Sequence, residues 1–416
     1  MTDKKLDTGA YKGVRDFYPE DMYIERYMFD TMSRAAESFG YSEYSASVLE
    51  PTELYKSKSS EEIVNEQTYT FADRGGREVT LRPEMTPTIA RMVAARQREL
   101  AFPLRWYTIA NMFRYERPQR GRMREHWQLN ADIFGVSDIE AEVEIIALSS
   151  AIMKAFGAKE SDFEIRVNDR NVLFSLFDEF SVPDETREKV VLLFDKKEKI
   201  SDFDAQLKAL LGDTTSLFLG KIEDTNRSAV LERLMRRLTD MGITNAVVDT
   251  SIVRAFNYYS GIVFEVFDTS GENKRSLGGG GRYDNLLELF GAQSVPAVGF
   301  GMGDITLRDF LETHKLLPGY VPRTDLYLCA LSEKAREHAQ ALAQELRAKD
   351  INVEVSLSTK KAGDQVKIAH AKRIPFVICV GEDEMKKNEY AIKRLEDGVE
   401  KKVLRDAISD YIFSNI

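Results

Sequence analysis

Polar and apolar residues alternate along two neighbouring runs of the chain between Phe102 and Gly135. A period of two is typical of half-buried strands, and Pro-Gln-Arg-Gly at 118–121 favours a turn, so we predict a β-hairpin with a basic tip. One face of the returning run carries three polar side chains, Gln128, Asn130 and Asp132. If this face is enclosed it needs a binding partner, because buried polar groups without hydrogen bonds cost free energy.

The tip of this hairpin and the end of its first run are rich in charge. The sequence FRYE places Arg114 and Glu116 on one predicted face, opposite two aromatic side chains. Arg120 and Arg122 fall at the turn. Because guanidinium groups bind phosphate and carboxylate oxygens in pairs, the pattern suits a phosphate site as well as a solvated surface hairpin.

Helical spacing of apolar residues predicts three helices around the hairpin. One covers Asp21 to Phe39, before Gly40. A second follows LRPEM, and Thr86 is the residue that we expect to cap it. A third lies between Ser137 and Phe156.

Four successive glycines, Gly278 to Gly281, follow a predicted strand at Tyr258 to Phe267 and a turn at 269–271. Glycine loses more backbone entropy than other residues in a strand interior and packs no side chain there. We therefore predict that the four glycines do not belong to a regular strand interior. Such a run either is a flexible loop or lets a ligand approach the backbone.

The sequence pattern in the last third of the chain predicts a separate structural unit. PAVGFGMGDITLRDFLETH indicates a strand that enters a helix capped by Asp304, and residues 315–324 contain the Pro and Gly of a linker. Beyond the linker, strands and helices alternate, as in a small α/β domain with a largely parallel sheet. The highly charged residues 184–241, further upstream, predict solvated helices.

Composition narrows the class of protein. The chain has 416 residues, 43% of them hydrophobic, and a net charge of −10. These values are typical of a soluble globular protein and exclude a generally basic nucleic-acid coat, although they permit a local basic groove. Cys329 and Cys379 lie in apolar runs and predict buried thiols rather than a zinc site. Because no apolar run has membrane length, we expect a cytoplasmic protein with no membrane partner.

The segment FRYERPQRGRMREHWQLNADIFG resembles motif 2 of the class II aminoacyl-tRNA synthetases, in the form found in histidyl-tRNA synthetases. LRPEMTP, IVRAFNYYSGIVFE, GGGRYDNLL and the segment around Asp304 are similar to further motifs of that family, so the resemblance covers nearly the whole chain. It implies an α+β fold, with a class II antiparallel sheet and flanking helices in residues 1–320. A helical insertion at about 170–245 and a C-terminal α/β anticodon-binding domain at 325–416 are implied as well.

The resemblance also implies a role for particular side chains. The residues that it assigns to ATP are Arg114, Glu116, Arg122 and Arg254, of which Arg114 and Arg254 are catalytic. The residues that it assigns to histidine are Glu84, Thr86, Gln128, Asp132, Tyr258, Tyr259 and Tyr283. The residues that it assigns to tRNA are Gln119 and Arg120.

The activity implied is that of a histidine–tRNA ligase, which takes L-histidine, ATP and histidine tRNA. Mg²⁺ is expected on the phosphates with no ligand set of protein side chains, and a homodimer is expected. The chain departs from the family's motifs at Ser47, Ala255 and Thr306, where the family has Pro, Gly and an adenine-stacking Arg. Two alternatives stay open: a non-catalytic paralogue that binds histidine and assists ATP phosphoribosyltransferase, and a synthetase for another amino acid.

Overall fold

The computed structural model describes residues 6–56, 67–195, 197, 200–223, 228–254, 258–273, 275–358 and 360–415. Contacts divide the chain into two compact units, Met1–Pro318 and Gly319–Ile416. Each unit has a sheet and a hydrophobic core of its own.

The described part of the first unit contains eleven strands and ten α-helices. The strands are β1 (Ser42–Glu43), β2 (Leu49–Pro51), β3 (Tyr69–Ala72), β4 (Glu78–Leu81), β5 (Leu104–Phe113), β6 (Glu125–Phe134), β7 (Phe163–Asp169), β8 (Ala246–Val248), β9 (Ile262–Asp268), β10 (Gly278–Arg282) and β11 (Ala297–Gly303). The helices are α1 (Pro19–Ser38), α2 (Glu53–Lys56), α3 (Thr86–Arg96), α4 (Glu140–Ala155), α5 (Arg170–Glu179), α6 (Asp184–Asp195), α7 (Phe203–Leu211), α8 (Thr215–Ile222), α9 (Ala229–Asp240) and α10 (Asp304–Thr313).

Eight of these strands form one sheet, in the order β1-β5-β6-β11-β10-β9-β7-β8. Every neighbouring pair is antiparallel except the two outer pairs, β1 with β5 and β7 with β8. A smaller sheet has the order β2-β4-β3. The antiparallel sheet with flanking helices confirms the predicted α+β class.

The two faces of the large sheet differ in chemistry. One face, with Leu129, Ala131 and Phe300, joins the apolar sides of α1, α4, α9 and α10 in a single core. The other face carries Gln128, Asn130 and Asp132 on β6. Its register sets these polar residues opposite Gly303, Gly301 and Gly299 of β11. On the polar face, β11 therefore has no side chains opposite these three residues.

The predicted hairpin is confirmed as β5 and β6, which pair from Leu104↔Phe134 to Phe113↔Glu125. Its first strand is shorter than the alternation predicted. After Phe113 the chain turns back on itself, since the Glu116 amide donates to the Arg114 carbonyl at 2.8 Å. The predicted strand faces therefore fail beyond Phe113, and Tyr115 is 50% exposed, with its ring 5.4 Å from that of Tyr69.

The prediction that Gly278 to Gly281 lie outside a strand interior is wrong. They make up most of β10, which lies between β9 and β11 inside the sheet. A Cβ atom at Gly280 would overlap the Gly299 carbonyl oxygen and would lie 2.5 Å from Phe300 Cα. The neighbouring backbones are so close that only glycine fits, and this crowding outweighs the entropy that glycine loses in a strand.

Two predicted helix caps are also wrong. Thr86 and Asp304 are the first residues of α3 and α10, and the capping positions are Met85 and Gly303. The Asp304 carboxylate instead accepts the Trp127 amide at 2.8 Å and pairs with Arg15. The strand predicted from Tyr258 begins only at Ile262, so both tyrosines of the YY pair precede β9.

The charged segment 184–241 is helical in its described residues, as predicted, and contains α6 to α9, with α5 before it. Helices α5 to α8 have a separate core, in which Phe177 and Phe218 stack with ring centroids 6.0 Å apart. Helix α9 instead packs its apolar side in the core of the large sheet.

The described part of the second unit contains five strands and four α-helices. They are β12 (Leu326–Ala330), α11 (Glu333–Arg347), β13 (Val353–Val355), α12 (Ala362–Ala371), β14 (Phe376–Val380), α13 (Glu382–Lys387), β15 (Glu389–Arg394), β16 (Glu400–Leu404) and α14 (Ile408–Phe413).

The sheet of the second unit has the order β13-β12-β14-β15-β16. The pairs of β12 with β13 and β14 are parallel, as predicted, and β15 and β16 add an antiparallel pair that the sequence pattern did not indicate. Cys329 is buried and stands in register with Cys379, which is only partly buried. No helix in the described residues of either unit combines the length and apolar character needed to cross a membrane.

The Gly280→Ala variant tests the crowding within the sheet. We expect it to lower the free energy of unfolding by at least about 3 kcal/mol, because the added methyl group meets backbone that cannot move aside. Urea denaturation followed by circular dichroism measures the change. The matched control is Gly220→Ala in α8, where a Cβ atom meets nothing within 4 Å, and where stability should rise by up to about 1 kcal/mol. Equal stability of Gly280→Ala and the unsubstituted protein would contradict the crowding.

Candidate active site

The polar face of the large sheet holds a group of buried ionisable and aromatic side chains. They come from β6, from the residue after β5, from the segment between β4 and α3, from the first residue of α3, from the segment before β9, and from the residue after β10. The members foreseen from the sequence are Glu84, Thr86, Arg114, Gln128, Asp132, Arg254, Tyr258, Tyr259 and Tyr283.

Asp132 and Tyr283 form one end of this group. Each is only 1% exposed, and the Tyr283 hydroxyl donates to Asp132 Oδ1. Asp132 Oδ2 is buried and has no hydrogen-bond partner among the described residues. Burial raises the pKa of the Asp132 carboxyl to about 7, against the opposing effect of the Tyr283 hydrogen bond. The pair therefore presents an acceptor oxygen that is ready for a donor hydrogen.

Glu84 and Tyr258 lie beside this pair. The Tyr258 hydroxyl donates to Glu84 Oε2 at 3.0 Å, and the Thr86 hydroxyl also interacts with Tyr258. The Tyr258 ring is 4.8 Å from that of Tyr259 and 5.9 Å from that of Tyr283, measured between centroids. The three tyrosines connect the Glu84 carboxylate with the Asp132 carboxylate through one continuous aromatic wall.

Arg114 and Arg254 face the same group from positions far apart in sequence. Arg114 Nε donates to the Pro83 carbonyl at 2.9 Å. Arg254 Nη1 lies 2.9 Å from Glu265 Oε1, and its guanidinium carbon is 5.5 Å from the Tyr259 ring centroid. Burial lowers the pKa of the Arg114 guanidinium, Glu84 opposes this effect, and the positive charge of Arg254 adds to it. The two arginines thus act on each other electrostatically in one pocket.

Glycines on β10 and β11 make the space that these side chains occupy. A Cβ atom at Gly299 would overlap the Asp132 carboxylate, and one at Gly301 would overlap the Gln128 amide. One at Gly279 would overlap the Arg254 guanidinium. The glycines of β10 stood out in the sequence, whereas those of β11 were missed. GFGMG has glycine at every second position, which indicates a strand with no side chains on one face.

The loop between β5 and β6 carries the remaining predicted residues. Gln119 and Arg122 pair through both backbone amides, which places Arg120 and Gly121 at the tip. Arg122 forms an ion pair with Glu116, which is 8% exposed. Arg120 Nη2 lies 2.8 Å from Asp309 of α10. This ion pair joins the loop tip to α10, between residues that are 189 positions apart in the sequence.

Some residues of interest lie elsewhere or were missed. Ala255 lies outside the described residues, whereas Thr306 is on α10 with its hydroxyl 3.4 Å from the Leu277 carbonyl oxygen. Arg308, two residues further along α10, pairs with Glu312 and Asp21. Sequence reasoning missed the support of Tyr283: the preceding Arg282 forms a buried two-point ion pair with Glu142, at 2.6 Å.

The described residues contain no group of three or more His, Cys, Asp or Glu side chains that could hold a metal ion. Mg²⁺ commonly takes one or two carboxylates and completes its shell with substrate phosphates and water. The donor set of the site therefore fits a metal that enters on a polyphosphate and does not fit one held by a protein cluster.

Known proteins resemble the chain over almost its whole length. The family model described as histidyl-tRNA synthetase matches residues 13–305, and the one described as anticodon binding domain matches residues 325–415. The chain is 42% identical over 412 residues to a histidine–tRNA ligase of Leptospira biflexa serovar Patoc (strain Patoc 1 / Ames), which covers 94% of each chain. It is 39% identical over 421 residues to one of Opitutus terrae, which covers 95% of this chain and 96% of the relative.

A crystal structure of histidyl-tRNA synthetase from Nostoc sp. PCC 7120 superposes with a TM-score of 0.80, over 99% of this chain and 100% of that one. At 22% identity, this similarity shows the fold alone. The matches in sequence show more than the fold, because they confirm the family that the motifs indicated. The chain belongs to the histidyl-tRNA synthetase family.

Proposed function

We propose that the chain is an ATP-dependent histidine–tRNA ligase. In the first step, an oxygen of the histidine carboxylate attacks the α-phosphorus of ATP, histidyl-adenylate forms and pyrophosphate leaves. In the second step, a hydroxyl at the 3′ end of histidine tRNA attacks the carbonyl carbon and AMP leaves. The observation that carries this proposal is the buried Asp132–Tyr283 pair, with one carboxylate oxygen unoccupied, in the same pocket as Arg114 and Arg254.

Asp132 and Tyr283 are the residues that we propose to select histidine. Asp132 Oδ2 accepts the N–H of the imidazole ring, and Gln128, on the same face of β6, bounds the pocket. An amino acid with an apolar side chain would leave the buried carboxylate without a partner. Sites that hydrogen-bond their substrate reject analogues that lack the bond by large factors, about 10⁴-fold or more.

The α-ammonium group of histidine is assigned to Glu84, Thr86 and Tyr258. The Glu84 carboxylate is 3% exposed and supplies a negative charge beside two hydroxyl groups. The Tyr259 ring, in contact with both Tyr258 and the Arg254 guanidinium, closes this side of the pocket. The amino acid is thus held at both ends before ATP reacts.

Arg114 and Arg254 stabilise the charge that develops on the α-phosphate during the attack. These two partly buried guanidinium groups disfavour each other's charge, and an anion that lies between them would relieve this repulsion. Glu116 accepts from the adenine amino group and Arg122 binds the terminal phosphates. Because Glu116 and Arg122 pair with each other in the free protein, ATP binding has to separate them. Mg²⁺ on the phosphates supplies charge neutralisation when it is bound.

The remaining roles concern tRNA and assembly. Gln119 and Arg120, at the tip of the loop, contact the 5′ end of the tRNA, and the second unit contacts its anticodon. The family match at residues 325–415 supports the anticodon assignment. We propose a homodimer in the cytoplasm, where ATP and tRNA are available. No feature of the described residues favours a purely regulatory role.

The direct test of this function is histidine-dependent exchange of labelled pyrophosphate into ATP, measured with each of the twenty amino acids. We expect exchange with histidine alone. Exchange with a different amino acid, or none with folded protein and Mg²⁺, would refute the proposed substrate.

The Arg254→Ala variant should lower the rate constant of exchange by at least about 10²-fold, because its charge acts where transition-state charge develops. The affinity for histidine, measured by calorimetry without ATP, should change by less than about 3-fold. The Arg98→Ala variant, at an exposed position outside the site, is the matched control and should match the unsubstituted protein. Equal losses of affinity and rate would mean that Arg254 binds the ground state.

The Asp132→Asn variant should raise the KM for histidine by at least about 10²-fold, since the amide cannot replace the free carboxylate oxygen. The Asp268→Asn variant removes another buried carboxylate, one that pairs with His314 at 3.0 Å, and should leave this KM unchanged. Exchange kinetics measure both variants. An unchanged KM in Asp132→Asn would remove Asp132 from the histidine site.

Stability provides an independent readout of Asp132. Because its pKa is raised from 3.8 to about 7, the folded protein binds more protons than the unfolded chain between these pH values. Its stability should therefore fall as the pH rises through this range. Asp132→Asn avoids the buried charge, so we expect it to unfold at a higher temperature than the unsubstituted protein at pH 8 and to lose this advantage towards pH 4. A constant difference across this range would contradict the raised pKa.

A further inference from the structure

Arg275 lies three residues before the glycine strand β10 and takes no part in the roles assigned above. Its backbone is fixed, because the Arg275 amide donates to Asn273 Oδ1 at 3.0 Å, and Asn273 is 6% exposed. The Arg275 side chain is partly buried. The Arg275 side chain therefore extends from a backbone that is held by a hydrogen bond.

Three elements of the first unit meet at the Arg275 side chain. A Cβ atom built at Gly121, on the tip of the β5–β6 loop, would come within 2.9 Å of Arg275 Cδ and 3.5 Å of its Nε. The same atom would come within 3.5 Å of the Thr306 methyl group on α10. Gly121 has a φ of +73°, so glycine is favoured there by its backbone as well as by its space. Arg275 thus lies against the loop that carries Glu116 and Arg122.

The guanidinium group of Arg275 differs from those of Arg120 and Arg122 on this loop. Arg122 pairs with Glu116, and Arg120 pairs with Asp309. Within the described residues, the Arg275 guanidinium has neither a hydrogen bond nor an ion pair. A partly buried guanidinium group without a protein partner is available to a ligand, and the nearest ligand in the proposed function is ATP.

We propose that Arg275 binds ATP by lying flat on its adenine ring. This inference rests on the proposed function, in which Glu116 holds the adenine amino group. Gly121 is next to Arg122, the ion-pair partner of Glu116, so Arg275 lies close to the carboxylate that is assigned to the adenine amino group. Arg114 and Arg254 serve the α-phosphate. A planar guanidinium group stacks well on an aromatic ring, whereas the ammonium group of lysine does not.

Thr306 explains why the arginine that stacks on the base is in the segment before β10 and not on α10. Position 306 faces the same point at the loop tip, but threonine is too short to cover a base. Its hydroxyl lies 3.4 Å from the Leu277 carbonyl oxygen, so α10 contacts the segment that carries Arg275. Because both positions approach Gly121, an arginine moved from 275 to 306 gives a direct experimental test.

The test is steady-state pyrophosphate exchange with the full chain, with ATP and histidine varied separately. For Arg275→Ala we expect the KM for ATP to rise at least about 10-fold, with kcat and the KM for histidine changed less than about 2-fold, because stacking holds the base equally before and during the reaction. Arg275→Lys should fail to restore the KM for ATP, whereas Thr306→Arg added to Arg275→Ala should lower it again. Arg98→Ala is the control for loss of an exposed arginine.

Other results would overturn the inference. An unchanged KM for ATP in Arg275→Ala would remove Arg275 from the nucleotide site, and full recovery in Arg275→Lys would show a phosphate contact instead of adenine stacking. A parallel rise in both KM values with a lowered unfolding temperature would show a merely structural role. In each case the unsubstituted protein still exchanges with histidine, whereas a failure of the proposed function would abolish that exchange.

Discussion

The absence of side chains on one face of β10 and β11 is the constraint on which the site depends. Gly279, Gly299 and Gly301 leave room for an arginine, a carboxylate and an amide that would otherwise collide with the sheet. The same strands bury large side chains such as Phe300 against the helices on their other face. The sheet therefore combines a well-packed core with an open binding surface, and a methyl group at one of these glycines would reach both the backbone and a site residue.

Burial gives the polar side chains in this space their chemical character. Asp132 is enclosed to the point that its pKa rises to about 7, and Arg114 and Arg254 share a pocket in which each disfavours the charge of the other. Such groups lower the stability of the free protein, and they interact strongly with a ligand that supplies the missing hydrogen or charge. A histidine side chain and an α-phosphate are ligands of these two kinds. On the loop from Arg114 to Arg124, Arg120 pairs with Asp309 and Arg122 pairs with Glu116 in the free protein.

Much of this fold was predictable because its signals are local. The β5–β6 hairpin and helices α1 and α4 follow from spacing that each segment carries within itself, and the family motifs indicated which side chains share a site. The predictions failed where residues far apart in the sequence determine the local structure. The four glycines form a strand because of the backbones of β9 and β11, and the Asp304 carboxylate serves Trp127 and Arg15 instead of its own helix. Nothing near Arg275 in the sequence indicates that it meets Gly121 and Thr306.

We propose that one pocket binds the imidazole ring at Asp132 and the α-phosphate at Arg114 and Arg254. A crystal structure with a non-hydrolysable analogue of histidyl-adenylate would show whether it does. We expect an imidazole nitrogen about 2.7–3.2 Å from Asp132 Oδ2. We also expect the group that replaces the phosphate to lie between the two guanidinium groups. An analogue bound with its ring away from Asp132, or with only one of the two arginines at its phosphate position, would refute the shared pocket.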